Sequence, residues 1–438
     1  MKKSLLLLFI GLCIVLAYGQ NRKPCGTAML AKRHQKTQSA KTRQAAQEEI
    51  RHYEGEKKGL IILVEFPDIP FSSEDPLQTW SDIANKQGYA DNGAIGSVGD
   101  YFYDQSYGKF RLKFDVVGPV MAAHSHEYYG DNVDFGYGFW FDKNIGELLE
   151  EACKGVADKV NYADYDWEGD GEVDQVFLLY AGHGEADYYS KDTTVIWPHM
   201  ASLMAEWEGY ENGIIIQDKR INVYACSNEL DWNNKFTGMG TICHEFSHCL
   251  GLPDLYNTMT SDDPVGSYDL MASGMYNGNG WYPPGYSSYE RYVCGWLTPE
   301  PVDDPASITS LLPLLENPDA RIYRTSADAN DYYLIEYRKK ESWDTYLWGS
   351  KAVIGTKLAW HIDYDPEAWA NNVVNNDPDH LRVEWMLLSK IPTSISDISS
   401  EDKSIIGVYD LQGRPADSSQ SGILIVRYSD GASRIIIR

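Results

Sequence analysis

The chain has 438 residues, of which 43% are hydrophobic, so it is long enough for two or three domains, and this composition excludes a wholly disordered protein. Its formal net charge of −26 is unevenly spread: residues 20–60 carry ten basic and four acidic residues, whereas residues 61–438 carry 26 basic and 60 acidic ones. So acidic a body excludes nucleic-acid binding, which needs basic surface, and is consistent with cation binding, particularly of calcium.

The first 19 residues predict a signal peptide. Lys2 and Lys3 form a positive start, Leu5 to Leu16 an apolar run, and Ala-Tyr-Gly at 17–19 a small-x-small cleavage site. The alternative, a membrane anchor, is disfavoured because the run is short for spanning a bilayer, and no later segment is apolar enough to cross one. We therefore expect a secreted or cell-surface protein with no transmembrane segment after signal removal.

Residues 20–57 are polar, basic and rich in Gln, Ala and Lys, which predicts a pro-segment ahead of the acidic body. Removal of the signal leaves six cysteines, and an even count in an exported chain permits disulfides in any of fifteen full pairings. The spacing selects none of these pairings.

From Gly59 the chain predicts regular structure. GLIILVEFPD indicates a buried strand that ends at Pro67. A short helix is expected over Val98–Ser106, followed by a strand over Phe110–Val117. Helical apolar spacing follows over Ile145–Val160, and QVFLLYAG at 175–182 predicts a second buried strand.

An acidic loop precedes that second strand. It places Asp166, Glu168, Asp170 and Asp174 at alternating positions around a glycine, which is how a short loop wraps a hard cation. Its twelfth position is Phe177, so the loop is not a complete EF-hand. The hypothesis is a calcium site, and the alternative is a solvated acidic turn.

The stretch TICHEFSHCLGLPDLY at 241–256 carries the strongest chemical signal. On a helix over residues 237–250, His244 and His248 lie about 40° apart on one face, with Glu245 beside them. Two imidazoles at this spacing can bind one zinc ion, and the carboxylate can hold a water near the metal.

A catalytic zinc needs a third protein ligand. Gly251 can end the helix in the left-handed conformation and Pro253 forbids its resumption, so the chain turns and Asp254 can return under the metal. This completes two nitrogens and one oxygen and leaves a fourth position for water. A rival interpretation takes the third ligand from farther downstream, with Asp269 or Glu290 as candidates.

The segment GSYDLMASGMYNG at 266–278 places Met271 in a tight turn rich in glycine and serine. A methionine beneath the zinc-binding histidines is a mark of the metzincin clan, although Met271 alone would fit ordinary core packing. Many metzincins have a tyrosine two residues after this methionine; Ser273 stands there and Tyr276 comes later, which makes Tyr276 the candidate oxyanion stabiliser.

After Trp296 the pattern becomes β-rich. Short strand-like runs separated by turn residues fill 299–393, and 394–438 combines a polar linker with three or four short strands. The predicted fold class is α+β, with a catalytic domain over 58–298, a β-rich extension over 299–393 and a short β-rich C-terminal tail over 394–438.

From about Gly59 to Arg382 the sequence resembles the immune inhibitor A type of secreted bacterial zinc metallopeptidases. The motifs that carry the resemblance are GLIILVEFPD, GSVGDYFYDQSYGKF, VFLLYAGHGEA, VIWPH, HEFSHCLGLPDLY, GSYDLMASG and WHIDYDPEAWANNVVNND. It implies a metzincin-like zincin endopeptidase with zinc ligands His244, His248 and Asp254 and the general base Glu245. The alternatives are a silent adhesin or binding protein on the same fold, which the intact Glu245 disfavours, and a purely structural zinc.

Two further expectations concern the ends of the chain. In RKPCGTA, Cys25 could bind the zinc in place of water and keep the precursor latent, as in the cysteine switch of matrix metalloproteinases; alternatively it forms a disulfide or has no role. The tail YDLQGRP…GILIVRYSDGASRIIIR resembles the sorting segment of type IX secretion cargo, which implies the secretion machinery as a partner besides protein or peptide substrates. The alternative for the tail is a plain β-rich terminus.

Overall fold

A computed structural model describes residues 52–134, 140–186, 192–256, 265–303, 308, 310–324 and 331–347, and the backbone of 356–364, 381–387, 405–410, 423–428 and 433–437. The predicted signal peptide, Cys25 and most of the basic segment lie outside these residues. Within them, the helices are all too short or too polar to cross a membrane.

The described strands fall into three consecutive groups. The strands of the catalytic region are β1 (Gly55–Glu65), β2 (Phe110–Met121), β3 (Asn132–Asp134), β4 (Trp140–Asp142), β5 (Glu172–Val173), β6 (Val176–His183), β7 (His199–Ser202), β8 (Ile214–Ile216), β9 (Lys219–Ile221) and β10 (Val223–Leu230). Those of the extension are β11 (Glu300–Val302), β12 (Arg321–Tyr323), β13 (Asp331–Arg338), β14 (Thr356–Tyr364) and β15 (Leu381–Leu387). Those of the tail are β16 (Ile405–Asp410), β17 (Ile423–Tyr428) and β18 (Ser433–Ile437).

The described α-helices all lie before the extension. They are α1 (Pro76–Asn85), α2 (Val98–Gln105), α3 (His126–Gly130), α4 (Ile145–Gly155), α5 (Leu203–Glu206), α6 (Gly240–Cys249) and α7 (Ser288–Val293). The predicted helix over 145–160 thus ends five residues early, and the strand predicted to end at Val117 continues to Met121.

A five-stranded sheet forms the centre of the catalytic region, in the order β2-β1-β6-β10-β7. The first four strands are parallel and the edge strand β7 is antiparallel to β10. Strand β1 is buried from Leu60 to Val64, as expected of a continuous apolar run in a sheet covered on both faces. The expected mixture of helices and strands in the catalytic region is confirmed.

The alternation of side chains along β1 divides the interior into two cores. Ile61 and Leu63 face the first core, which also holds Phe246 of α6. Leu60 and Ile62 face the second core, which α4 covers with residues such as Leu149. Helix α6, with its two histidines, therefore packs against one face of the sheet by its apolar side.

The extension contributes to the first core. Its strands form a second five-stranded sheet in the order β11-β12-β13-β14-β15, and the tail strands form a separate three-stranded antiparallel sheet. Three residues of this region are buried in the first core: Leu334 of β13, Trp343 of the following 3₁₀ turn (Ser342–Tyr346), and Leu347 directly after that turn. The expected boundary near residue 298 therefore does not separate two independent hydrophobic cores.

Candidate metal centre

A glycine at each end fixes the position of helix α6. A Cβ on Gly240, the first helical residue, would lie only 1.9 Å from the Met275 carbonyl oxygen, so no larger residue fits there. At the other end Gly251 has φ +76°, the left-handed conformation predicted for the residue that stops the helix. The segment after the helix turns back immediately, which brings Asp254 beneath it.

Both histidines of α6 are oriented by main-chain carbonyl groups. His244 Nδ1 lies 2.9 Å from the Leu270 carbonyl oxygen, and His248 Nδ1 lies 2.8 Å from that of Leu252. A carbonyl oxygen only accepts hydrogen bonds, so each Nδ1 carries the hydrogen, and in the neutral rings each Nε2 presents a lone pair. The rings stand nearly perpendicular, with an interplanar angle of 87°.

The two Nε2 atoms converge on one carboxylate oxygen. Asp254 Oδ1 lies 3.2 Å from Nε2 of His244 and 3.5 Å from Nε2 of His248. Metal–ligand bonds of zinc length in a tetrahedral arrangement separate neighbouring ligand atoms by about 3.3 Å, close to both distances. Burial opposes ionisation of Asp254, but the two adjacent rings in their protonated, imidazolium form outweigh it and hold the pKa of this carboxyl below its usual value.

Three electron-pair donors directed at one another at these distances repel unless a cation or a shared proton lies among them. This donor set therefore fits a divalent metal ion with a preference for nitrogen and oxygen ligands, such as zinc. His244, Glu245 and His248 also form a compact group of possible metal ligands. Among the described residues, one ligand atom from each of these three side chains lies within 4.8 Å of the other two.

Glu245, which follows His244 in the sequence, is fully buried. It belongs to the same group of possible metal ligands as the two histidines. Its main chain is held from the sheet side, because Gln175, just before β6, donates from Nε2 to the Glu245 carbonyl oxygen at 3.2 Å. A buried carboxylate within 4.8 Å of the two imidazoles is placed to exchange a proton with a molecule bound there.

The turn that contains Met271 is hydrogen-bonded to residues next to the candidate metal ligands. Met271 is fully buried, its N–H donates to Asp269 Oδ1 at 2.8 Å, and its carbonyl oxygen accepts from the Leu255 N–H at 2.7 Å. The preceding residue, Leu270, supplies the carbonyl that orients His244. This turn therefore connects directly to the metal-site helix and to the segment that carries Asp254.

The two rival third ligands have other partners. Asp269 holds the methionine turn, and Glu290 caps α7 by accepting from the Ser287 N–H at 2.7 Å. Asp254 is the carboxylate that lies against both Nε2 atoms. Tyr276, the candidate oxyanion stabiliser, is buried in the 3₁₀ segment Ser273–Gly280, and its role stays a prediction.

The acidic loop is stabilised by its own donors. Asp166 accepts three loop N–H groups, from Gly169, Asp170 and Gly171, at 2.8, 3.1 and 3.0 Å. Lys219 Nζ lies 2.6 Å from Asp166 Oδ2, and this ammonium lowers the pKa of Asp166. The ammonium group of Lys219 thus neutralises Asp166, the first carboxylate of the candidate calcium site. Calcium binding by this loop stays a prediction.

The last carboxylate of that loop, Asp174, accepts from the Trp167 N–H at 2.6 Å. Burial, reinforced by the neighbouring Glu168, raises the pKa of Asp174 to about 7. Asp170 uses its side chain to accept from the Glu172 N–H at 2.9 Å.

The described residues include five cysteines, each of them a thiol outside any disulfide: Cys153, Cys226, Cys243, Cys249 and Cys294. None of them pairs with another, which removes the fifteen full pairings of six cysteines that the spacing left open. Burial raises the pKa of the thiols of Cys243 and Cys249 on α6 well above the usual value, so neither favours the thiolate form that binds metals.

Residues 45–294 match the family model for the immune inhibitor A peptidase M6 catalytic domain. The chain belongs to this family of metallopeptidases. The match contains the whole of α6, Asp254 and the methionine turn, and it ends just after α7. It leaves the extension strands β11 to β15 outside the family's catalytic domain.

The M6 chain is also similar in sequence to two curated proteins. It is 25% identical over 272 residues to the pre-pro-metalloprotease PrtV of Vibrio cholerae serotype O1, covering 53% of this chain and 29% of that protein. It is 23% identical over 278 residues to immune inhibitor A of Bacillus thuringiensis subsp. alesti, covering 53% of this chain and 39% of that one. The chain thus spans well under half the length of these relatives.

Sequence reasoning missed the groups that orient the ligands. The carbonyls of Leu252 and Leu270 act through the main chain, so their residue types carry no signal. Ser247, inside the histidine motif, also bonds a distant tyrosine, Tyr286. A buried serine one residue before the candidate ligand His248 was the available hint, but spacing alone does not reveal its partner.

Proposed function

We propose that this M6 metallopeptidase is a secreted zinc-dependent endopeptidase. The observation that supports it most strongly is the convergence of Asp254 Oδ1 on His244 Nε2 at 3.2 Å and on His248 Nε2 at 3.5 Å, with a Glu245 carboxylate oxygen within 4.8 Å of a ring nitrogen of each histidine. Such a set of three ligands leaves a position for water, which distinguishes a catalytic site from a closed structural one.

In the mechanism we propose, His244, His248 and Asp254 hold the ion, and zinc when bound supplies an acidified water and a polarised peptide carbonyl. Glu245 accepts the proton of the attacking water and then donates it to the leaving amine. The carbonyls of Leu252 and Leu270 keep both imidazoles in the tautomer that presents Nε2. Met271 makes the proposed site metzincin-like.

A casein digestion assay tests the proposal. The mature protein should cleave internal bonds of casein, lose this activity in 1,10-phenanthroline, and regain it when zinc is restored. Fragments released only from the chain ends would contradict an endopeptidase, and activity that survives complete zinc removal would contradict the metal mechanism.

We also propose that the protein acts outside the cell on extracellular proteins. The predicted signal at 1–19 supports export, and the relative PrtV is named a pre-pro-metalloprotease, which describes a protease made with leading segments. The tail over 394–438 is the part of the chain that we expect the secretion machinery to recognise. Fractionation of the native host tests both points: the mature protein should be external, and deletion of the tail should retain it in the cell.

Latency forms a separate part of the proposal. The basic segment before residue 58 is opposite in charge to the acidic body, and Cys25 within it could occupy the water position of the metal. A Cys25→Ala precursor should then be active without cleavage. A fully latent Cys25→Ala precursor would show that inhibition does not depend on the thiol.

A further inference from the structure

Residues beyond the matched family domain reach the metal-site helix through a buried polar network. The network begins at Arg338, the last residue of β13, which forms a two-point ion pair with Asp344: Nε to Oδ2 at 2.7 Å and Nη2 to Oδ1 at 2.6 Å. Both residues are buried, at 2% and 0% exposure. Buried ion pairs of this kind are favourable only when further hydrogen bonds complete them, so their remaining partners indicate what they hold.

Further partners belong to one short segment, residues 285–288, at the start of α7. Arg338 Nη2 donates to the Gly285 carbonyl oxygen at 2.6 Å, while the Gly285 N–H donates to Asp344 Oδ1 at 3.0 Å. Glu336, also on β13, accepts from the Ser288 N–H at 2.6 Å. The extension thus fixes the main chain of residues 285–288 at both ends.

That segment carries Tyr286, which contacts the metal-site helix. The Tyr286 hydroxyl is hydrogen-bonded to Ser247 Oγ, and Ser247 Oγ donates to the Cys243 carbonyl oxygen at 2.6 Å. Since the serine proton is used on Cys243, Tyr286 is the donor to Ser247. Ser247 immediately precedes His248, so the chain of bonds ends one residue from a metal ligand.

Two further buried carboxyl groups lie on α7 and in the turn that contains Met271. Glu290 caps α7 through Ser287, and burial raises the pKa of both Glu290 and Asp269, that of Asp269 to about 6. Asp269 holds the Met271 N–H, and the intervening Leu270 supplies the carbonyl bonded to His244.

From these contacts we infer that Arg338 and Tyr286 are positioning residues of the metal centre: the Arg338–Asp344 pair fixes residues 285–288, and Tyr286 then sets the position of Ser247 and of the neighbouring His248. The inference rests on the proposed zinc site. It extends the working catalytic unit from residue 294, where the family match ends, through the turn at 342–346. Outer hydrogen-bond partners of metal ligands typically affect metal affinity by about 10- to 100-fold.

The test measures zinc affinity on the full chain by competition with a chromophoric chelator, alongside the melting temperature of the metal-free protein. Tyr286→Phe removes only the hydroxyl that reaches Ser247, and Arg338→Lys keeps the charge but loses the two-point geometry. The matched control is Tyr162→Phe, which deletes an equally buried hydroxyl bonded to the Cys153 carbonyl oxygen at 2.8 Å in the second core.

We expect Tyr286→Phe and Arg338→Lys each to raise the zinc Kd by about tenfold, and Tyr162→Phe to leave it within about twofold despite a similar loss of melting temperature. Because Ser247→Ala interrupts the same bond chain, its combination with Tyr286→Phe should be no worse than Ser247→Ala alone. If Arg338→Lys does not fold, the tyrosine and serine variants still decide the question.

A purely structural role would give another pattern. If Tyr286→Phe changes the zinc Kd no more than Tyr162→Phe does, the positioning role is overturned. Failure of the proposed function looks different, because the unmodified protein would then neither bind zinc nor cleave casein.

Discussion

The metal centre and the acidic loop at 166–174 both gather ligand-type side chains, but they differ in what neutralises them. At the metal centre, the N–H donors of both rings point away to Leu252 and Leu270, and lone pairs face Asp254. In the loop, Asp166 accepts main-chain N–H groups and the ammonium of Lys219. The direction of donors and lone pairs, more than the number of carboxylates, therefore distinguishes a group of side chains that fits a metal from one that has partners within the protein.

Glu245→Gln should produce the largest effect. The amide keeps the size of the side chain but cannot accept the proton of water, so we expect kcat/KM on casein peptides to fall by about 10²- to 10⁴-fold while zinc remains bound. Glu168→Gln in the acidic loop is the matched control and should retain activity. A Glu245→Gln enzyme with near-normal turnover would refute the base assignment.

Asp254→Ala at the metal centre should lower the zinc content of the protein, whereas Asp166→Ala in the acidic loop should not. Loss of the third ligand should strip zinc during dialysis against a chelator that leaves the unmodified protein loaded, as measured by atomic absorption. Asp166→Ala, which removes a carboxylate with partners of its own, should keep its zinc. Equal zinc content in the two variants would place the third ligand elsewhere.

Metal removal should destabilise the protein through the metal centre. A ligand at 100 times its Kd stabilises the folded state by about 2.7 kcal/mol, which for a domain of this size corresponds to a melting shift of roughly 5–10 °C. We expect such a fall in 1,10-phenanthroline and a smaller one in EGTA, which prefers calcium. A larger fall of the melting temperature in EGTA than in 1,10-phenanthroline would show that the acidic loop, and not the metal centre, contributes more metal-dependent stability.

Asp174→Asn should change how stability depends on pH. Burial raises the pKa of Asp174 from 3.8 to about 7, so the folded state keeps a proton that the unfolded chain releases. Its contribution to stability is therefore full below pH 4 and is lost as the pH rises through about 7. Asparagine can still accept from Trp167, so the variant should lose less melting temperature than the unmodified protein between pH 5 and pH 8.

The control for this pH series is Asp170→Asn, a substitution at an exposed position in the same loop. It should follow the unmodified protein throughout. Parallel curves for Asp174→Asn and the unmodified protein would show that Asp174 is ionised in the fold at neutral pH.

Calcium should have the smallest effect. Millimolar calcium has to compete with Lys219 for Asp166, so we expect the melting temperature to rise by only about 1–3 °C, with Asp170→Ala removing most of the rise. Lys219→Gln should enlarge it, because the internal cation is gone. No response to calcium in either the unmodified protein or Lys219→Gln would show that the loop is a solvated acidic turn.

Local patterns predicted the catalytic core well. The apolar run of β1, the helix that carries the two histidines, and the turn at Gly251 follow from periodicity and backbone preferences that act over a few residues. Arg338 and Asp344 could not be connected to His248 in this way, because their effect passes through the main chain of residues 285–288. Lys219 likewise lies 53 residues from Asp166, and no spacing rule relates the two.

The contacts of Tyr53 limit where the proposed precursor can be cleaved. Tyr53 lies within the expected pro-segment, yet its carbonyl oxygen accepts from Trp296 Nε1 at 2.7 Å and its hydroxyl donates to the Cys249 carbonyl oxygen at 3.4 Å. Strand β1 begins two residues later, at Gly55. Scission after Lys57 or Lys58 would cut a paired strand and release a residue that supports the end of α6. The new amino terminus of the mature enzyme should therefore fall at His52 or earlier, with Arg51 as the last basic residue at which a trypsin-like convertase could act without dismantling the fold.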